Sequence, residues 1–392
     1  MPTIVPLPAL GLTLGLALAL PAAPVMADAC PAPGEWQRHG ETLAADSLLS
    51  ELAAHRVVLL GEQHERLAHH RWQLHTLAAL HALEPGLAIG LEMLPREAQP
   101  ALDAWVAGEL DEAGFLEASG WHQAWGYDPA LYLPILHFAR MHRIPLVALN
   151  VTPELRRRLA DEGWTAVPEA ARHGLSEPAP ASPAYRTALA EVYAEHPEAA
   201  DPTADAPDTA ENAEGLERFI AAQLVWDRAM AEGLARAAEQ APLVVGLMGE
   251  GHVRHGHGVP HQLAALGIEA TSSALAWDRE RGCPAPDGIA DALFGLGDEA
   301  RHEPAAPPRL GVLLFPDEAG VRVARVEPES VAEASGLVED DLIVAAAGRP
   351  VAAAGELVAI IRRQAPGTLL PLEVRREGEA RELLARFPAE AP

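Results

Sequence analysis

The sequence predicts an α/β fold, a mostly parallel sheet covered by helices, followed by a small β-rich domain. Three observations predict it. Between about residues 35 and 285, short apolar runs at 57–60, 87–91, 145–149 and 243–248 alternate with stretches of helical spacing. None of these runs alternates polar with apolar residues, so each reads as a strand buried on both faces, as in a parallel sheet under helices. Past a proline-bearing stretch at 300–308, which reads as a linker, the pattern changes to short strands and turns at 320–326, 342–344 and 370–374.

Taken in chain order, the first element is an apolar run at 7–23 that ends near small residues. It reads as a secretory signal cut after Ala27 or Ala29, although no basic residue precedes it. The expected location is periplasmic or secreted, with membrane association left open. In an oxidising compartment the two cysteines, Cys30 and Cys283, could pair. The formal charge of -27 argues against binding a nucleic-acid backbone, which needs clustered cations. All 29 basic residues are arginine, so no Schiff-base lysine and no Gly-Lys-Ser/Thr phosphate loop can exist. Residues 174–214, rich in Ala, Pro, Glu and Asp, read as a solvated insertion.

Each apolar run ends in groups that chemistry can use. The first leads into Gly61-Glu62-Gln63-His64, the second to Glu92, the third to Asn150, and the fourth into Gly249-Glu250-Gly251-His252. Ligands of open α/β sheets bind beyond the carboxyl ends of the strands, so these residues are expected to face one crevice. After the first copy a helix is expected over about 65–82, with His70, Leu74, Leu77 and His81 on its buried face and His69 off it. His64-Glu65 with His69 is not an HExxH zinc motif, because those histidines lie five apart rather than four.

Two chemistries fit the set. His64, Glu92 and His252 form a donor set for zinc, iron or manganese, with Glu62 and Glu250 as orienting groups or general bases. The same groups suit a haem, held non-covalently because no Cys-x-x-Cys-His is present. Trp125 and Tyr127, in the aromatic stretch 121–127, would flank a planar cofactor, and His70 and Asn150 would complete the binding residues.

Two resemblances follow from these residues. Gly61-Glu62-Gln63-His64, His70 with Gln73, Leu91-Glu92-Met93, Trp125-Gly126-Tyr127, Ala148-Leu149-Asn150 and Gly249-Glu250-Gly251-His252 followed by Gly258-Val259-Pro260 stand in order. Over about 40–275 the chain thereby resembles the ChaN-like haem-binding lipoproteins, part of a superfamily with the TIKI, TraB and erythromycin-esterase-like proteins. The resemblance implies an α/β fold and haem binding in iron uptake, with haem between two copies of a homodimer as one arrangement. It also implies that relatives use the paired Gly-x-x-His and glutamates for hydrolysis, so a metal-dependent hydrolase or peptidase is the alternative. Haem-binding members use an axial tyrosine, and this chain has Tyr127, Tyr132, Tyr185 and Tyr193 to choose from.

Residues 309–388 resemble a bacterial PDZ domain, on Leu310-Gly311-Val312-Leu313-Leu314, Ala334-Ser335-Gly336-Leu337, Asp340-Asp341-Leu342-Ile343 and Gly348-Arg349-Pro350-Val351. That implies a groove for a protein or peptide partner, added as a strand to a sheet edge. Backbone amides around Gly311, at Leu310, Gly311 and Val312, would hold its carboxylate, with a helix at about 355–363 as the other wall.

Overall fold

A computed structural model describes residues 30–195, 209–297, 308–317, 319–364 and 367–388. The expected signal segment and most of the expected linker lie outside the described residues.

The first domain begins with β1 (Trp36–Arg38), β2 (Glu41–Leu43), α1 (Ala45–Ala53), β3 (Val57–Glu62), α2 (Leu67–Leu83) and β4 (Ala88–Pro95). It continues through α3 (Gln99–Ala107), α4 (Glu112–Ala118), α5 (Trp121–Ala124), α6 (Leu133–His142), β5 (Leu146–Asn150), α7 (Pro153–Glu162) and α8 (Pro183–Glu195). The long α9 (Thr209–Ala238), β6 (Val244–Gly249), α10 (Val259–Ala265), β7 (Thr271–Trp277) and β8 (Ala292–Gly295) complete it.

The sheet order is β2-β1-β8-β7-β3-β6-β4-β5. The pairs from β8 through to β5 are parallel, and only β1 runs antiparallel to its neighbours β2 and β8. The four apolar runs are therefore adjacent strands, as the lack of alternation implied. Strands β7 and β8 add to them, and the sheet extends past the boundary expected at 285.

Alternate residues of each strand feed alternate cores. Val58, Leu60, Val245 and Leu247 pack with α1, α2, α3 and α6, while Val57, Leu59, Val244 and Met248 pack with α9 and α10. Cys30 and Cys283 are joined by a disulfide, with Cα atoms 5.4 Å apart. Among the described residues no helix is long and apolar enough to cross a membrane.

The described start of the 174–214 stretch differs from a purely solvated insertion. It is tied down because its polar atoms find buried partners: Ala179 bonds Gln262 through both backbone groups, and Ser176 N donates to Glu232 at 2.8 Å. In α8, Tyr185 is buried.

The second sheet is antiparallel. Its strands are β9 (Val312–Asp317), β10 (Gly320–Val326), β11 (Leu342–Ala346), β12 (Arg349–Pro350), β13 (Leu369–Arg376) and β14 (Glu379–Arg386). The order is β14-β13-β11-β10-β9, with β12 on β11, so β9 is an edge strand. Two helices, α11 (Val331–Ser335) and α12 (Ala354–Arg362), close it over a core that includes Leu310, Val321, Ile343 and Leu372. Helix α12 also meets the first domain, where Arg362 pairs with Asp128 at 3.3 Å.

Candidate functional site

The two Gly-Glu-x-His segments end neighbouring strands, β3 and β6, but they are out of step by one residue. Glu62 pairs with Gly249, and Gly61 with Met248. A one-residue offset turns side chains to opposite faces of a sheet. Glu62 and Glu250 therefore do not occupy equivalent places, which corrects the expectation of two matched copies.

Glu62 is buried and accepts a hydrogen bond from His64 Nδ1 at 2.6 Å. Tyr132 OH donates to the same oxygen at 3.4 Å. Burial alone would lower the His64 pKa, but the Glu62 carboxylate overrides it and raises it. His64 Nε2 has no hydrogen-bond partner among the described residues. The ring lies 4.7 Å from Trp125 and 4.9 Å from Tyr127, centroid to centroid. Gly249 makes room for it: a Cβ there would stand 2.7 Å from His64 Cε1.

His252 is held differently. Its Nδ1 donates to Asp227 at 2.6 Å, and its Nε2 lies 3.4 Å from Glu92 Oε1. Burial opposes its charge, yet the Glu92 and Asp227 carboxylates prevail and push the pKa up to about 10. His252 is therefore an imidazolium at neutral pH, with both nitrogens engaged. Glu92 is fully buried; burial would raise its pKa, but His252, His64 and the Gly249 N–H hold it below the usual range. That N–H donates to Glu92 Oε2 at 2.5 Å. Asn150 Nδ2 donates to the Glu92 carbonyl at 3.1 Å, which ties β5 to β4.

The geometry does not single out the expected metal set of His64, Glu92 and His252: both His252 nitrogens face carboxylates, Asp227 at 2.6 Å and Glu92 at 3.4 Å. Among the described residues no group of three or more His, Cys, Asp or Glu is arranged to hold a metal ion. Glu250, expected as a general base, is instead paired with Arg254 and, at 2.8 Å, with Arg281, and it accepts from Gln63 at 3.0 Å. Two guanidiniums therefore flank its carboxylate.

His70 is buried and donates from Nε2 to the His64 carbonyl at 3.0 Å. It positions the His64 backbone and does not line the cavity. His69, expected off the buried face, is fully buried, because β-sheet and helices cover α2 on more than one side. Burial, then the charges of Arg281 and Arg66, push its pKa down to about 3, so it is neutral.

The cavity itself has a volume of about 260 Å³. His64, Met93, Trp125, Tyr127, Asn150 and Trp226 are among its walls. Burial, with nearby Glu65, Glu62 and Glu92, pushes the Tyr127 phenol up. Sequence reasoning missed Asp227, Arg156 and Trp226, and named Tyr132 only among the tyrosines a haem could use. Asp227 carried a usable signal: with Met230, Ala231 and Leu234 it stands at helical spacing on one buried face, where an unpaired acid is costly.

In the second domain the Leu310 side chain is buried in the core, which leaves its backbone for contact with a ligand. Its carbonyl accepts from Ala332 N at 2.8 Å. Gly311 has φ +80 and a Cβ there would stand 2.3 Å from Ser330 Cβ, so glycine is required for the turn. Val312 opens the edge strand β9.

Residues 48–263 match the family model described as haem-binding uptake, Tiki superfamily, ChaN, and residues 308–385 match the PDZ domain model. Among solved structures the chain is similar to ChaN of Campylobacter jejuni, described as cofacial heme binding. The identity is 16%, the TM-score 0.53, and the match covers 66% of this chain and 95% of that one. At that identity the likeness shows the fold alone. The HtrA3 PDZ domain bound to a phage-derived ligand matches at 23% identity and TM-score 0.19, covering 20% of this chain and 83% of that one. The HtrA-type protease AlgW with decapeptide matches at 23% identity and TM-score 0.20, covering 21% of this chain and 30% of that one. No curated protein matches the chain.

Proposed function

The chain belongs to the haem-binding ChaN family of the Tiki superfamily and carries a PDZ domain, and from that premise we propose an exported protein that holds haem at the His64 cavity for iron uptake. The observation that carries this reading is the Glu62–His64 pair. Glu62 accepts the Nδ1–H hydrogen bond and leaves Nε2 beside two aromatic rings. A carboxylate behind a ligating imidazole fixes its tautomer and raises its basicity.

The residues fit a haem. His64 and Tyr127 would supply a ring nitrogen and a phenol oxygen, and Trp125 would supply a flat aromatic face. The cavity, at about 260 Å³, is smaller than the ~300–1,000 Å³ of an enclosing ligand pocket, so a porphyrin would rest across its mouth. A second copy of the chain would cover the open face. When bound, haem would supply an iron centre that takes a nitrogen or oxygen donor from the protein. The protein's own task is to hold the His64 ring aligned with its Nδ1–H on Glu62, so that the neutral tautomer presents Nε2; Glu62 and the His70 bond to the His64 backbone serve it.

Export is supported by the Cys30–Cys283 disulfide, since such bonds persist in oxidising compartments. The PDZ domain would take a peptide partner along the free edge of β9, opposite α12. No observation favours the metal-dependent hydrolase.

Titration of the full chain with ferric haem, followed at the Soret band, tests the reading. A saturable band is expected in the wild type. His64→Ala should abolish it, and Glu62→Gln should weaken binding about 10-fold, the usual cost of losing the group behind a metal-bound histidine. An unchanged band in His64→Ala would refute the assignment.

A further inference from the structure

A second cavity, of about 450 Å³, lies between α7 and α9. Arg156 and Arg157 line it from α7, Arg218, Phe219 and Trp226 from α9, and Tyr193 from α8. It shares Pro153, Arg156 and Trp226 with the His64 cavity, so the two are contiguous.

Its charge is unlike that of the rest of the molecule. The chain carries a net charge of -27, yet this groove gathers three arginines against one acid, Asp161. The other arginine clusters are neutralised internally: Arg254 and Arg281 by Glu250, and Arg96 and Arg228 by Glu232. Arg156 lies over the Trp226 ring at 4.1 Å and has no ion pair among the described residues. Arg157 has none there either. Arg218 reaches Glu214 only at 3.9 Å. The indole N–H of Trp226, which borders both cavities, is buried without a partner among the described residues.

We propose that this groove is a carboxylate-binding subsite contiguous with the His64 cavity, which takes the acidic side arms of a planar ligand whose body rests against the aromatic walls. The proposal rests on the haem reading above. Guanidinium forks match carboxylate geometry and are less strongly hydrated than ammonium groups, so they surrender water to such a partner readily. Tyr193, Phe219 and Trp226 offer apolar faces beside the charges.

The test compares ferric haem with haem dimethyl ester, whose two carboxylates are blocked, on the full chain. Wild type should bind haem about 10-fold more tightly than the diester, the scale of two exposed charge pairs. The double variant Arg157→Ala/Arg218→Ala should lose that preference and leave diester affinity unchanged. Arg157→Lys/Arg218→Lys, which keeps the charge, should retain part of it. Both positions are exposed, and a thermal melt of each variant verifies folding. Equal affinity for haem and diester in the wild type overturns the subsite while the haem reading stands. Failure of both porphyrins to bind overturns the reading and the subsite together.

Discussion

Replacing Asp227 by alanine should destabilise the α/β domain by about 3–5 kcal/mol at pH 6, the cost of breaking a buried ion pair from one side. Asp227 is fully buried and accepts from His252 Nδ1 at 2.6 Å and from Tyr185 OH at 2.8 Å. Its removal leaves a buried imidazolium facing Glu92 alone and a buried phenol without its acceptor. The loss should depend on pH. His252 titrates near 10 in the fold against ~6.5 in an unfolded chain. Its contribution is therefore fully present below pH ~6.5 and is lost as pH rises through about 10. Urea unfolding at pH 6, 8 and 10 should show the gap between wild type and Asp227→Ala narrowing as pH rises. A gap that widens, or an unchanged midpoint at pH 6, would show that His252 is not held as the cation.

Breaking the disulfide should cost a similar amount. Cys30 and Cys283 lie 253 residues apart in sequence, so the bond closes a loop around nearly the whole first domain. Loops of that size give stabilisation at the upper end of the usual ~2–5 kcal/mol, because the open chain gains most freedom when the link is cut. Cys30 is also buried against Trp277 and Ile289 in the α9 core. The variant Cys30→Ser/Cys283→Ser should unfold at a lower denaturant midpoint, with the PDZ transition unchanged. A midpoint equal to that of the oxidised wild type would remove the disulfide from the account.

The sheet was legible in the sequence because its central strands are buried on both faces, and continuous apolar runs such as 57–60 and 243–248 are the direct consequence. Strand β7, Thr271–Trp277, was hidden because Ser272 and Ser273 break its apolar run, although both are buried. The residues at the site were legible as a set, since each strand end carried one. Their roles were not. The one-residue offset between β3 and β6 depends on tertiary pairing, and it alone separates Glu62, facing His64, from Glu250, facing Arg281. Asp227 was missed because it lies inside a 30-residue helix, far in sequence from the histidine it charges.

We propose that the two histidines have divided roles, His64 as the donor to a bound haem iron and His252 as a fixed cation. Pulsed electron paramagnetic resonance of the ferric haem complex reads histidine nitrogen coupling to the iron directly. The coupling should be present in the wild type and in His252→Gln, and absent in His64→Ala. A coupling that survives in His64→Ala and disappears in His252→Gln would contradict the account.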